Sequence, residues 1–306
     1  MTEGIDIGAL ESLAATWKPP TIVALNTLPK GDMPGDKVCI GIEHIIKAQA
    51  IFPRLLRLIA EPLRARGRAV ASVFGGSGVG KSETSSLLAY FLNCSGLGAY
   101  IVSGDNYPRR RPEDNDRERL LTFRESGVKG LVASGEYTEA RNEELRELQE
   151  LGRDADPSLA LERPWLAAYQ SAGRRGLGEF LGSPREIDFE ELSRIIARFK
   201  TGDPVLTMKR MGRAERELRY EAVDVSRAHV LLLEWTHGNS GHLRGVDLPI
   251  LLNSSPAETL EHRRARGRDN HPDSPFTAMV LEIEQRQITA QASKAALIVG
   301  KGGAIE

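Results

Sequence analysis

Cysteine is nearly absent from this 306-residue chain: only Cys39 and Cys94 occur. Two thiols so far apart exclude a disulfide framework or a cysteine-rich zinc site and point to a reducing compartment. Long apolar runs are missing too. No stretch approaches the ~20 residues that cross a bilayer, and the acidic residues near the start precede any apolar run, so no signal or membrane segment is expected and the cytoplasm is the expected location. Net charge is also lacking, with 41 Lys+Arg against 42 Asp+Glu. No global field exists to hold a nucleic-acid backbone, so any anion site must be a local cluster. What is present is ordinary globular material. Hydrophobic residues at 41% and charged residues at 27% suffice for a packed core and exclude wholesale disorder.

Residues 1–36 carry Pro19, Pro20, Gly31, Pro34 and Gly35 with little periodicity and read as an irregular N-terminal arm. The apolar positions from Ile45 to Ile59 are spaced for a helix or a kinked pair despite Pro53. Ala69–Phe74 is a short apolar run, then a glycine-rich break, then helical spacing from Ser82 to Leu92: strand, loop, helix. Further buried strands are expected at 99–103, 229–233, 248–252 and 295–299. Strands apolar throughout, alternating with helices, imply an α/β protein whose mostly parallel sheet is covered on both faces. The stretch 111–184 is charged and helical in composition without an apolar strand, and reads as a helical insertion into a domain spanning 37–306.

The break reads Gly75-Gly76-Ser77-Gly78-Val79-Gly80-Lys81-Ser82 and fits G-x-x-x-x-G-K-[ST] in the strand–loop–helix setting that this motif requires. Glycines let successive backbone N–H groups face phosphate oxygens, and the helix start adds favourable charge. Lys81 is expected at the β- and γ-phosphates, and the Ser82 hydroxyl at Mg²⁺. Asp105, just after the second strand, would lie at the carboxyl edge of the sheet, where it is the general-base candidate for an acceptor hydroxyl or else a turn residue ahead of Pro108. Glu234 ends the strand HVLLL, where an acid can hold Mg²⁺. Trp235, Thr236 and His237 follow it as candidate pocket residues, with core packing an equal alternative for the tryptophan. In EHRRARGRD (261–269), Arg264 and Arg268 are four apart, which fits either phosphate-facing lid residues or a solvated helix face.

These residues resemble the uridine kinase and phosphoribulokinase group of P-loop kinases. The likeness rests on the phosphate loop, on Ser103-Gly104-Asp105 with Tyr107 close behind, on Glu234, and on the arginines of 263–269. A fifth element is Ile187–Met211, similar to the family segment in which an Asp-Phe opens a helix, a Lys-x-Gly closes it and a Pro-led strand carries substrate contacts. The resemblance implies a three-layer P-loop NTPase sandwich and a kinase using ATP, or another nucleoside triphosphate, with Mg²⁺. It implies Asp105 as base, Glu234 as metal-linked acid, and Tyr107 near the substrate. The chain departs from the family at Trp235, where glycine is usual, in the insertion, and in the long segment before the loop. Arg109 and Arg110, if turned inward, would suit an anionic acceptor. The expected partner is a small molecule such as a sugar, phosphosugar or nucleoside, with a homodimer left open. The rival reading is a regulatory or assembly NTPase. Neither Asp-x-x-Gly after the phosphate loop nor Asn-Lys-x-Asp occurs, which sets a Ras-type GTPase aside.

Overall fold

The computed structural model describes residues 7–22, 24–212, 215–255, 257–260 and 274–306. The chain divides into two compact units, Met1–Tyr107 with Asp188–Ser255 and Ile288–Glu306, and Pro108–Ile187 with Pro256–Gln287.

The first unit is built on five parallel strands, β1 (Ala69–Phe74), β2 (Ala99–Ser103), β5 (Val230–Glu234), β6 (Leu248–Leu252) and β7 (Leu297–Val299), in the order β2-β5-β1-β6-β7. Helices flank the sheet. β1 and β5 are buried at every position, as strands covered on both faces must be. On one side lie α1 (Ile7–Thr16), α2 (Ile42–Arg66) and α3 (Lys81–Cys94), whose core includes Leu10, Ile51, Phe52, Leu56, Leu88 and Phe91 packed on Ala71, Val73 and Leu232. Trp17 joins Phe52 and Phe91, with ring centroids 4.8 and 5.2 Å away. α2 runs unbroken through Pro53 and Pro62, because Phe52, Leu55, Leu56, Ile59 and Leu63 are all buried along it. On the other side α8 (Phe189–Lys200) buries Phe189, Leu192, Ile195, Ile196 and Phe199. Its start is capped by the Asp188 side chain, which accepts from Glu191 N.

Two findings differ from the sequence reading. The first 36 residues are not merely irregular: α1 forms there, and Leu10, Ala14 and Leu28 join the core. An antiparallel hairpin, β3 (Val205–Arg210) with β4 (Arg219–Asp224), stands apart from the main sheet. β3 coincides with the Pro-led strand implied by the resemblance. β4 was not foreseen, since Arg219-Tyr220-Glu221-Ala222-Val223-Asp224 stays half-exposed and carries no apolar run.

The second unit is helical: α4 (Pro112–Ala133), α5 (Glu139–Glu150), α6 (Leu159–Glu162), α7 (Pro164–Phe180) and the first part of α9 (Pro275–Gln291). α4 and α7 approach closely at small residues. A Cβ at Gly173 would sit 2.6 Å from the Phe123 ring, and one at Gly127 would sit 2.5 Å from the Tyr169 ring. Buried Asp154 is satisfied by Arg124 at 3.1 Å and by the Tyr169 hydroxyl at 2.8 Å, as a buried charge requires.

Candidate functional site

The phosphate loop leaves β1 at Gly75 and enters α3 at Lys81. Its shape depends on glycine, Gly78 also taking a positive φ of 79°. Gly75 and Gly80 take φ of 152° and 91°, and a Cβ would lie 2.5 Å from the Leu252 carbonyl oxygen at the first and 2.6 Å from the His44 ring at the second. Val79 is buried, and its carbonyl accepts from Lys47 Nζ of α2 at 3.3 Å. Lys81 Nζ bends back onto the Gly76 carbonyl at 2.9 Å, which holds the ammonium over the loop carrying Gly76, Ser77 and Gly78. The start of α3 thus faces a backbone cradle with a lysine across it, an arrangement that suits a chain of phosphates.

Parallel pairing sets Glu234 level with Val73 on one side and with Ser103 on the other, so the acid stands at the carboxyl edge beside both the loop and the turn after β2. Glu234 is buried, and its Oε2 has no hydrogen-bond partner. Burial pushes its carboxyl up to about 8; a hydrogen bond from the Ser82 hydroxyl opposes the rise, the charges of Asp105 and Asp36 add to it, and Lys81 opposes it. Glu234, Ser82, Asp105 and Lys81 are therefore electrostatic neighbours. In the metal-free protein, the carboxyl holds its proton to higher pH folded than unfolded. The contribution of Glu234 to stability should then fall as pH rises from 4.5 toward 8. Glu234→Gln escapes this loss. Thermal melts without metal or nucleotide should show the variant gaining on wild type from pH 5 to pH 8; a pH-independent gap would contradict the strained carboxylate.

Asp105 sits in a single 3-10 turn, Gly104–Asn106, and alone among residues 101–107 it is exposed. Its neighbours are fixed. Gly104 lies flat on the Trp235 indole, where any Cβ would collide. Trp235 packs on Phe189 at 5.3 Å and on His237 at 5.2 Å, both measured between ring centroids. Trp235 and His237 are buried and form the floor under the turn rather than an open pocket wall. Tyr107 has no exposed surface; its hydroxyl lies 3.9 Å from the Met208 sulfur, and burial first of all pushes its pKa up. It is packed as a core residue beside the turn that carries Asp105. Arg109 and Arg110 belong to the second unit, where their side chains donate to the Pro184 and Arg185 carbonyls at 2.6 and 3.1 Å. Each guanidinium is thus tied in part to a backbone carbonyl of that unit. Arg264 and Arg268 lie outside the described residues.

The segment before α2 also reaches this site, which the sequence reading missed. A Cβ on Gly31 would collide with Glu234 Oε1, and Asp32 is buried against the turn that carries Asp105. A lone Gly-Asp in a Pro- and Gly-rich stretch carries no pattern by which to find it. Among the described residues no cluster of three or more His, Cys, Asp or Glu could hold a metal unaided.

Over 242 residues the chain is 38% identical to a bifunctional alpha-galactosidase/sucrose kinase of Mediterraneibacter gnavus; the match takes in 79% of this chain and 21% of that protein. The chain thus spans about a fifth of its relative's length. A structure from Silicibacter sp. TM1040, described as a fructose transport system kinase, superposes with a TM-score of 0.48 at 18% identity, covering 82% of this chain and 96% of that one. A scan against protein-family models finds no match. The five-stranded parallel sheet around the phosphate loop and the kinase relative bear out the resemblance to P-loop kinases.

Proposed function

We propose that this P-loop kinase homologue transfers the γ-phosphate of ATP to a hydroxyl of a sugar, with Asp105 as general base. The carrying observation is the buried Glu234, one oxygen unpartnered and the Ser82 hydroxyl beside it, at the mouth of the phosphate loop. A buried orphaned carboxylate costs stability and persists where a ligand completes it. The oxygen donors present suit Mg²⁺, with Ser82 and Glu234 as the holding residues and the triphosphate supplying further oxygens. When bound, such an ion would neutralise charge on the β- and γ-phosphate oxygens.

The geometry supports the following part for the chain's own residues. Loop amides from Gly76 to Ser82 grip the phosphates, and Lys81 exchanges its Gly76 carbonyl for phosphate oxygen. Asp105, exposed on a fixed turn, accepts the acceptor's hydroxyl proton as that oxygen bonds to the γ-phosphorus. The bond from the γ-phosphorus to the bridging oxygen breaks, and ADP leaves with the electron pair. Arg264 and Arg268 remain candidates for covering the transferring group.

The relative combines a galactosidase and a sucrose kinase. A phosphate loop serves only the second chemistry, which makes sucrose the first acceptor to try. Turnover of ATP should be measured against neutral mono- and disaccharides, with the product examined by phosphorus NMR. Acceptor-dependent ADP release with a matching sugar phosphate is expected. Brisk hydrolysis unaffected by every sugar would instead support the assembly-NTPase reading.

A further inference from the structure

We propose that Asp32, paired with Arg210, is a positioning residue that sets the turn presenting Asp105. The inference rests on the kinase reading above and adds to it a part from outside the motifs. The Asp32 carboxylate accepts four hydrogen bonds: from Ser103 N at 2.7 Å, Asn106 Nδ2 at 2.9 Å, Arg210 Nη1 at 2.8 Å and the Tyr100 hydroxyl at 3.2 Å. Ser103 and Asn106 bracket Asp105. Both flanks of the short turn are therefore tied to one carboxylate, while Asp105 between them is exposed. Asn106 then passes the constraint on, since its Oδ1 accepts from Met211 N at 3.0 Å.

Arg210 ends β3 and is as buried as its partner, each side chain being 6% exposed. Its Nε donates to Glu221 of β4 at 3.0 Å and its Nη2 to the Tyr100 hydroxyl at 3.0 Å. The pair thus joins the N-terminal segment, the end of β2 and the hairpin around one point. Burial raises the Asp32 carboxyl from its ordinary value, and Arg210 with the other donors opposes that rise. Such a charge is costly to place and holds its donors in fixed directions. The segment itself is anchored: the Ser86 hydroxyl of α3 donates to the Pro29 carbonyl, and the Tyr90 hydroxyl to that of Thr21 at 2.9 Å. Gly31, one residue earlier, lies against Glu234. Residues 31–32 accordingly touch both parts that must converge on the transferring phosphate, and a displacement of Asp105 by about 1 Å is enough to cost 10²-fold in rate.

The test is a kinetic cycle with Asp32→Asn, Asp105→Asn and the double variant, measured with Mg-ATP and the sugar that wild type phosphorylates. Asp32→Asn is expected to lower kcat about 10- to 100-fold, with nucleotide affinity within about twofold of wild type and the KM of the acceptor within about threefold. Placed on top of Asp105→Asn it should cost little more, because its effect runs through Asp105. Wild-type kcat in Asp32→Asn, or the same loss in both backgrounds, would overturn the proposal. Should the single variant fail to fold, Asp32→Asn with Arg210→Gln restores a neutral pair of similar shape and is expected to fold and remain slow. Failure of both to fold would assign the pair to stability alone and overturn it too. Full activity in Asp105→Asn would instead count against the base assignment.

Discussion

Asp105→Asn should bind nucleotide nearly as well as wild type and turn over about 10² times more slowly, or worse. The substitution keeps the shape of the side chain and removes only its ability to take a proton. Because Asp105 is exposed while residues 101–104, 106 and 107 are buried, little packing changes, and the melting temperature should stay close to that of wild type. A secondary effect is expected. The Asp105 charge contributes to the raised carboxyl of Glu234, so the variant should ionise Glu234 somewhat more readily. Rapid-quench measurement of a single turnover separates phosphate transfer from product release. A normal transfer rate would remove Asp105 from the role of base and leave it a turn residue ahead of Pro108.

Lys81→Ala should fail differently, losing both affinity and rate. The ammonium lies across the phosphate loop, held by the Gly76 carbonyl, where it can meet charge on the β- and γ-phosphates in both the bound and the transferring states. Loss of an electrostatic contact of this kind costs about 10²- to 10³-fold in kcat. Nucleotide affinity should fall by about tenfold or more, since that contact also exists before transfer. Titration of a fluorescent ATP analogue, with kcat measured alongside, checks both. A variant with unaltered binding and turnover would mean that the loop grips something other than a polyphosphate.

The parts legible from the sequence are those whose signal is local. The run Ala69–Phe74, the glycine loop and the helical spacing after it predict β1, the cradle and α3, because each element's partners are the same few residues that spell the motif. Glu234 is legible as an acid closing an apolar strand, and its burial beside Ser82 agrees with that reading. Residues whose surroundings are assembled from afar are not legible. Asp32 meets Ser103 and Arg210, 71 and 178 positions away, and nothing near it in sequence marks the encounter. Tyr107 and Trp235 show how little of burial is legible. An aromatic residue next to a catalytic motif can line a pocket or pack in the core; here both rings are buried, Trp235 against Gly104 of the turn. The carbonyls of Pro184 and Arg185 that accept from Arg109 and Arg110 lie 75 positions away and are likewise not marked in the sequence.

All of this turns on one arrangement, in which the amides of residues 76–82 hold a triphosphate so that Glu234 and Asp105 meet at its last phosphorus. A crystal structure with Mg²⁺ and a non-hydrolysable ATP analogue tests that arrangement directly. The account predicts the ion in contact with the Ser82 hydroxyl and linked to Glu234, directly or through water, with Asp105 facing the γ-phosphate from the acceptor side. A nucleotide bound elsewhere, or a γ-phosphate remote from both carboxyl groups, would contradict it.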